Sequence, residues 1–173
     1  MVKRIFVLAV LAGILSACTI YVRPGDFSVS YKGRYGVDLN TVITRFEPDR
    51  GRASTYRLGE FVRFNITLSQ PGYLTLVGID SDGVSYEFSR YSLGAGSYVL
   101  SGPQGQPGLG FQLAPPAGIQ RVRAIYTNAS GSATVRFTGT YRDDAWDSQT
   151  ALYFERTGAT VRDVEETYFY IAR

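Results

Sequence analysis

Carboxylates and arginines are the residues of this 173-residue chain best placed to do chemistry. Asp80-Ser81-Asp82-Gly83 sets two carboxylates two residues apart, the spacing with which a calcium loop opens. Tyr91 stands where such a loop would need its twelfth-position glutamate. A hairpin turn, using Asp-Gly for its positive φ, accounts for the same residues. Asp143, Asp144 and Asp147 form a second cluster that could take a divalent cation. The commoner use of such a cluster is to offset the macrodipole at a helix N-terminus. A divalent cation is the one cofactor either group suggests. Histidine is absent from the sequence. With it go the usual general base, the commonest metal ligand and every histidine-containing triad.

The arginines offer binding rather than catalysis. If Val62, Phe64, Val122, Ala124, Val135 and Phe137 face a core, period-two alternation turns Arg63, Arg121, Arg123 and Arg136 outward. Were their strands neighbours, four guanidinium groups would share one sheet face. Like charges opposite one another cost stability unless neutralised. Glu60 or Glu87 could do that; otherwise the face would suit an anionic lipid, glycan or protein surface. Tyr168 and Tyr170 join them as candidate binding residues. They lie in 167–171, which is apolar or aromatic on both faces and so must be buried between strands or covered by a partner.

The single cysteine has a different use. Lys3 and Arg4 precede an apolar run over 5–15, the charged and apolar regions of a signal peptide, too short to span a bilayer of ~20 apolar residues. Leu15-Ser16-Ala17-Cys18 then resembles the lipobox of bacterial lipoproteins, in which the cysteine is lipidated and becomes the new N-terminus. Removal of Lys3 and Arg4 from the 18 basic residues leaves sixteen against 15 acidic ones. Nucleic acid is not an expected partner of so neutral a chain. With Cys18 committed to lipid no disulfide can form, and stability must come from packing. The expected address is the cell envelope, at the outer membrane or cell surface.

These residues need a scaffold, and the pattern is one of short β-prone runs between turns. Residues 61–68 alternate cleanly, 73–79 read as a central strand, and 84–88 return after the Asp-Gly turn. Residues 119–127 and 133–141 are expected to pair as a hairpin around Asn128-Ala129-Ser130-Gly131. A short helix is expected over 142–156, with Asp143 or Asp144 as its N-cap, before a last strand over 164–171. The expected organisation is therefore a signal peptide over 1–17, a lipid-anchored tether over 18–36, a β-sandwich over 37–141 and a helix-and-strand extension over 142–173.

The central stretch carries a family resemblance. Tyr56-Arg57-Leu58-Gly59-Glu60, Pro71-Gly72-Tyr73-Leu74-Thr75-Leu76, Ile79-Asp80-Ser81-Asp82-Gly83 and Arg121-Val122-Arg123-Ala124-Ile125-Tyr126-Thr127 occur in the order of a bacterial domain of unknown function. That domain is found on exported proteins and envelope lipoproteins. The resemblance covers roughly 46–127 and implies an all-β, immunoglobulin-like antiparallel sandwich in the cell envelope. It carries no catalytic residues to transfer. The expected function is a non-enzymatic accessory lipoprotein, a scaffold or binding module for an S-layer or other surface protein, or for an envelope glycan. The alternative is a surface metalloenzyme of oxidative defence, such as a copper-dependent superoxide dismutase. Without imidazole, carboxylates, tyrosines and main chain are a poor ligand set for copper.

Overall fold

Alternating residues turn into strands where the sequence places them, but the sheets join in an order that local pattern does not reveal. The computed structural model describes residues 32–106, 108–130 and 134–173. A single-turn helix α1 (Lys32–Tyr35) precedes β1 (Ile43–Pro48), β2 (Thr55–Arg57), β3 (Phe61–Val62) and β4 (Phe64–Leu68). Next come β5 (Gly72–Ile79), β6 (Val84–Leu93), β7 (Gly96–Leu100), β8 (Phe111–Gln112) and β9 (Gly118–Thr127). The chain closes with β10 (Gly139–Thr140), helix α2 (Asp143–Thr157) and β11 (Arg162–Ala172). A six-stranded sheet runs β10-β6-β5-β9-β11-β2, a three-stranded sheet runs β1-β4-β7, and β3 pairs with β8. The pairs are antiparallel except β11 with β2, which is parallel. The protein is thus mostly β, with stacked antiparallel sheets.

The larger core lies between the sheets. Val62, Phe64, Ile66 and Leu68 meet Leu74, Leu76, Val122, Ala124, Tyr126 and Phe169 there. Asp163 closes the packing on the β1 side, where its Oδ2 accepts the Val42 and Ile43 amides at 2.7 Å each. Burial pushes its carboxyl above the usual range, against the pull of those amides. Phe64 is the hub, with the rings of Phe46, Phe88, Phe111 and Phe169 at 5.6–6.3 Å. Phe64→Ala is expected to cost about 3–5 kcal/mol in chemical denaturation. Arg63→Ala, next in sequence but exposed and 3.5 Å from Asp49, should cost below about 1 kcal/mol. Equal losses would mean the strand faces are reversed.

The second core explains why β9 is buried on both faces from Val122 to Thr127. Its odd positions face α2, whose buried Trp146, Thr150, Tyr153 and Phe154 recur at helical spacing. Val77, Ile79, Ile125 and Val164 pack beneath them, with Val135 and Phe137 at the side. The layers are therefore helix, six-stranded sheet and smaller sheet. Asp143 and Asp144 lie in the first turn of α2, but the N-cap is Arg142, which makes no side-chain cap bond. Gly158 ends the helix at φ 61°, a left-handed position that favours glycine. No helix among the described residues is long and apolar enough to cross a membrane.

The expected hairpin of 119–127 with 133–141 does not form. β9 lies between β5 and β11, and β10 pairs with Ser85 and Val84 of β6 instead. A ten-residue register with β11, from Arg162 opposite Thr127 to Ile171 opposite Gly118, takes the edge the hairpin would have used. Val135 and Phe137 are buried as expected, but under the helix. The stretch expected as an extension thus supplies an interior strand of the main sheet between β9 and β2, with Thr167, Phe169 and Ile171 buried, Tyr168 half-buried and Tyr170 exposed.

Candidate functional site

Sequence phase marks one unusual position on β9. Val122 and Ala124 point into the inter-sheet core, and so does Gln120, only 2% exposed. Its amide stands at a cleft of about 460 Å³ between β6 and the chain around Phe111 to Pro116. Tyr86, Phe88 and Val84 contribute one wall; Phe111, Leu113 and Pro115 contribute another. The rings are packed edge to face, Tyr86 on Phe88 and Phe88 on Phe111 at 4.9 Å each.

Two backbone features aim these rings. Val77 opposes Glu87 and Leu76 opposes Ser89, so Phe88 is the extra residue of a β-bulge. Such a bulge shifts the alternation by one and re-aims a side chain. Gly78 provides the space: a Cβ there would come within 2.7 Å of Tyr86 Cζ. The Tyr86 hydroxyl donates to Gln120 Oε1 at 3.0 Å, and Gln120 Nε2 donates to the Pro116 carbonyl at 3.3 Å. This chain ties the two walls together. Burial, aided by the Asp80 charge, pushes the Tyr86 phenol well above its ordinary value and keeps it a neutral donor.

The cleft's charge is one-signed. Asp80 and Glu87 line it, with no arginine or lysine among the lining residues. Glu87 is held by Arg90 at 2.8 and 3.0 Å. Asp80 Oδ1 accepts the amides of Asp82 and Val84 at 2.9 Å, which makes the Asp-Gly segment a turn. What remains is an apolar, aromatic recess with fixed amides and one partly free carboxylate. That arrangement is suited to holding a ligand.

The residues singled out from sequence are dispersed. Arg63 lies between β3 and β4, paired with Asp49. Arg136 is exposed ahead of β10, and its carbonyl accepts Gln149 Nε2 at 2.7 Å. Arg121 and Arg123 share the helix-facing side of β9, so the outward placement expected for Arg123 is overturned. Its side chain is 0% exposed. Its guanidinium donates to Glu166 Oε1, Asp147 Oδ1, Thr150 Oγ1 and the Trp146 carbonyl at 2.5–3.2 Å. It also lies 3.8 Å from the Trp146 ring centroid. Arg121 pairs with Asp143. The two clusters read separately in the sequence, arginines for anions and aspartates for a cation, therefore neutralise one another across the helix–sheet interface.

Asp144 is exposed, Asp147 is also held by Arg34 at 2.6 Å, and Asp82 is exposed in its turn. Among the described residues no three histidine, cysteine, aspartate or glutamate side chains gather as a metal site would. Three candidates do meet. Tyr168 opposes Arg121 and Tyr170 opposes Ile119 on the part of the sheet that α2 leaves open. The tyrosine rings stand 5.9 Å apart and nearly perpendicular, with the Arg52 guanidinium 5.0 Å from the Tyr168 ring. Cys18 lies outside the described residues.

No curated protein and no solved structure matches the chain. Residues 55–130 match the family described as a domain of unknown function, DUF4384, a stretch that runs from β2 through β9 and holds all the cleft residues named above, while α2 and β11 lie beyond it.

Proposed function

We propose that this protein is a lipid-anchored accessory protein of the bacterial cell envelope, in which an immunoglobulin-like sandwich serves as a binding module for another surface protein. The observation that carries the binding role is the cleft, whose aromatic walls are fixed by the chain from Tyr86 through Gln120 to Pro116. A sheet packed against a second sheet on one face and, over much of the other, against a helix makes a stiff support for such a site. The anchor rests on the apolar leader and Leu15-Ser16-Ala17-Cys18. Several acyl chains, at about 0.8 kcal/mol per buried CH₂, hold a protein on a membrane where one chain does not.

Cys18→Ser is expected to abolish palmitate labelling and move the protein out of the membrane fraction, as followed by fractionation and immunoblotting. A serine variant that stays wholly with membranes and still labels would sink the lipoprotein reading. Mild-detergent purification of the unaltered protein, with mass spectrometry and metal analysis, tests the module: a stoichiometric envelope protein supports it, and bound transition metal with turnover replaces it by an enzyme. A glycan-binding reading draws on the open face of Arg121, Tyr168 and Tyr170, because exposed tyrosines stack on sugar rings. Loss of binding to purified envelope polysaccharide on Tyr170→Ala, at unchanged melting temperature, would favour it.

A further inference from the structure

Tyr86, Phe88 and Phe111 stand in a row along the cleft, each ring 4.9 Å from the next. All three are only half-buried, although Phe88 and Phe111 pack against the inter-sheet core. The recess of about 460 Å³ lies in the ordinary range of ligand sites. Most polar side chains in its lining are already engaged. The Tyr86 hydroxyl bonds to the Gln120 amide, and that amide to the Pro116 carbonyl. Both carboxylate oxygens of Glu87 are held by Arg90. Asp80, itself half-buried, is the exception. Its Oδ1 accepts the Asp82 and Val84 amides, but among the described residues none bonds to or pairs with its Oδ2.

A free carboxylate oxygen inside an aromatic recess selects the charge of what fills it. A neutral apolar ligand would cover Oδ2 and remove its water without a replacement. An anion would meet the carboxylate with no arginine or lysine in the lining to offset it. A bare metal ion would find too few ligands, since no three metal-binding side chains gather among the described residues. An organic cation satisfies Oδ2, and the aromatic faces attract it as well. The single free oxygen also selects the kind of cation. A guanidinium binds best as a fork on both oxygens of a carboxylate, and Oδ1 is already taken. An ammonium is a compact charge that one acceptor can hold.

We propose that the cleft is a site for a primary ammonium on an elongated apolar body, with the ammonium on Asp80 Oδ2 and the body along Tyr86, Phe88 and Phe111. The inference rests on the cleft's binding role stated above and names the chemistry of its ligand. Two sources carry that chemistry: a free arylalkylamine, and a lysine beside an aromatic residue of the partner protein.

The test is an NMR titration of the full-length chain in detergent with phenylbutylamine. It is followed at the ring signals of Phe88 and Phe111, which amine dissolved in the micelles does not shift. The shifts should saturate. Phenylbutanol, which keeps the body and loses the charge, should bind about tenfold more weakly, equivalent to ~1.4 kcal/mol. Asp80→Asn keeps an acceptor for the turn amides and should shrink the amine's advantage over the alcohol to about threefold or less. Ala114→Trp, at an exposed position of the lining, should weaken amine binding about tenfold or more with melting unchanged. Phenylbutylguanidine should bind no more tightly than the amine. Absence of saturation, equal binding by the alcohol, an undiminished advantage in Asp80→Asn, or tighter binding by the guanidine would each overturn the assignment. The acetylated and amidated dipeptide Phe-Lys separates the two sources. Binding as tight as the amine's assigns the site to a partner's lysine, and binding about tenfold weaker assigns it to a free amine. If the amine fails while Ala114→Trp strips a stoichiometric envelope protein from the native complex, the module reading stands and the ammonium site falls. If the amine binds and no envelope protein co-purifies, the ammonium site stands and the module reading falls.

Discussion

Deletion of residues 168–173 is expected to abolish cooperative unfolding. The removed segment is the second half of an interior strand. Its main chain pairs with β9 as far as Ile171 and bonds to the β2 region on the other side, where the Tyr168 carbonyl accepts the Ala53 amide at 3.0 Å and the Tyr170 amide donates to the Ser54 carbonyl at 2.9 Å. Phe169 is 0% exposed and stands 5.3 Å from Tyr56, and Ile171 is buried beside it. Loss of a buried phenylalanine and a buried isoleucine alone amounts to about 5–10 kcal/mol. A whole domain of this kind has only about 5–15 kcal/mol in hand. β2 would also lose its sole neighbour, because it pairs with nothing else among the described residues. The measurement is a thermal melt followed by near-ultraviolet circular dichroism, and the control is Tyr170→Ala, whose side chain faces outward and should cost below about 1 kcal/mol. A truncated protein that still melts in one sharp transition would show that β11 docks on a domain complete without it.

That dependence could be read from 167–171, whose apolar character on both faces marks a strand paired on both sides, although only the Thr167, Phe169 and Ile171 face is covered and Tyr170 stays exposed. Much else of the fold was legible in the same way. Alternation over 61–68 gave the buried set Val62, Phe64, Ile66 and Leu68, and the helix expected over 142–156 runs from Asp143 to Thr157. What failed was inference about the far side of a strand. Period two tells which residues share a face but not what covers it, so Arg123 read as solvent-facing when α2 lies over it, while Arg121 on the same face stays partly exposed at the helix's margin. The partners were visible too: Asp143 and Asp147, one helical turn apart, match Arg121 and Arg123, two strand residues apart. Only the long-range packing of helix on sheet says that they meet. The hairpin was misjudged for a related reason, since turn chemistry at 128–131 is local and the ten-residue register with β11 is not. The cleft was hidden by the bulge at Phe88, which shifts the alternation so that Tyr86 and Tyr91, an even and an odd position, share a face. Gln120, polar in a core phase, was the signal available for it.

The buried charge cluster makes the last expectation. Arg123→Ala should destabilise the protein by about 3–5 kcal/mol, because it leaves charged partners without their counter-ion at a covered interface. Glu166 and Asp147 would then face one another, with only Arg34, at 3.2 and 2.6 Å, to offset them. The Trp146 carbonyl would lose a donor, and the face of its ring would lose the guanidinium stacked on it. Arg123→Lys should recover less than half of that loss, since a point charge cannot serve Glu166, Asp147 and Thr150 together as the planar fork does. Replacing the whole cluster is a different perturbation. Arg123→Met with Asp147→Asn and Glu166→Gln removes the charges together, and should be milder than Arg123→Ala alone by at least about 1 kcal/mol. Urea unfolding of the three variants, with Trp146 fluorescence as a local probe of the helix–sheet interface, separates these cases. Were Arg123→Ala to cost under about 1 kcal/mol, α2 would owe its seat to Trp146, Tyr153 and Phe154. The charge cluster would then fix only the angle at which the helix lies.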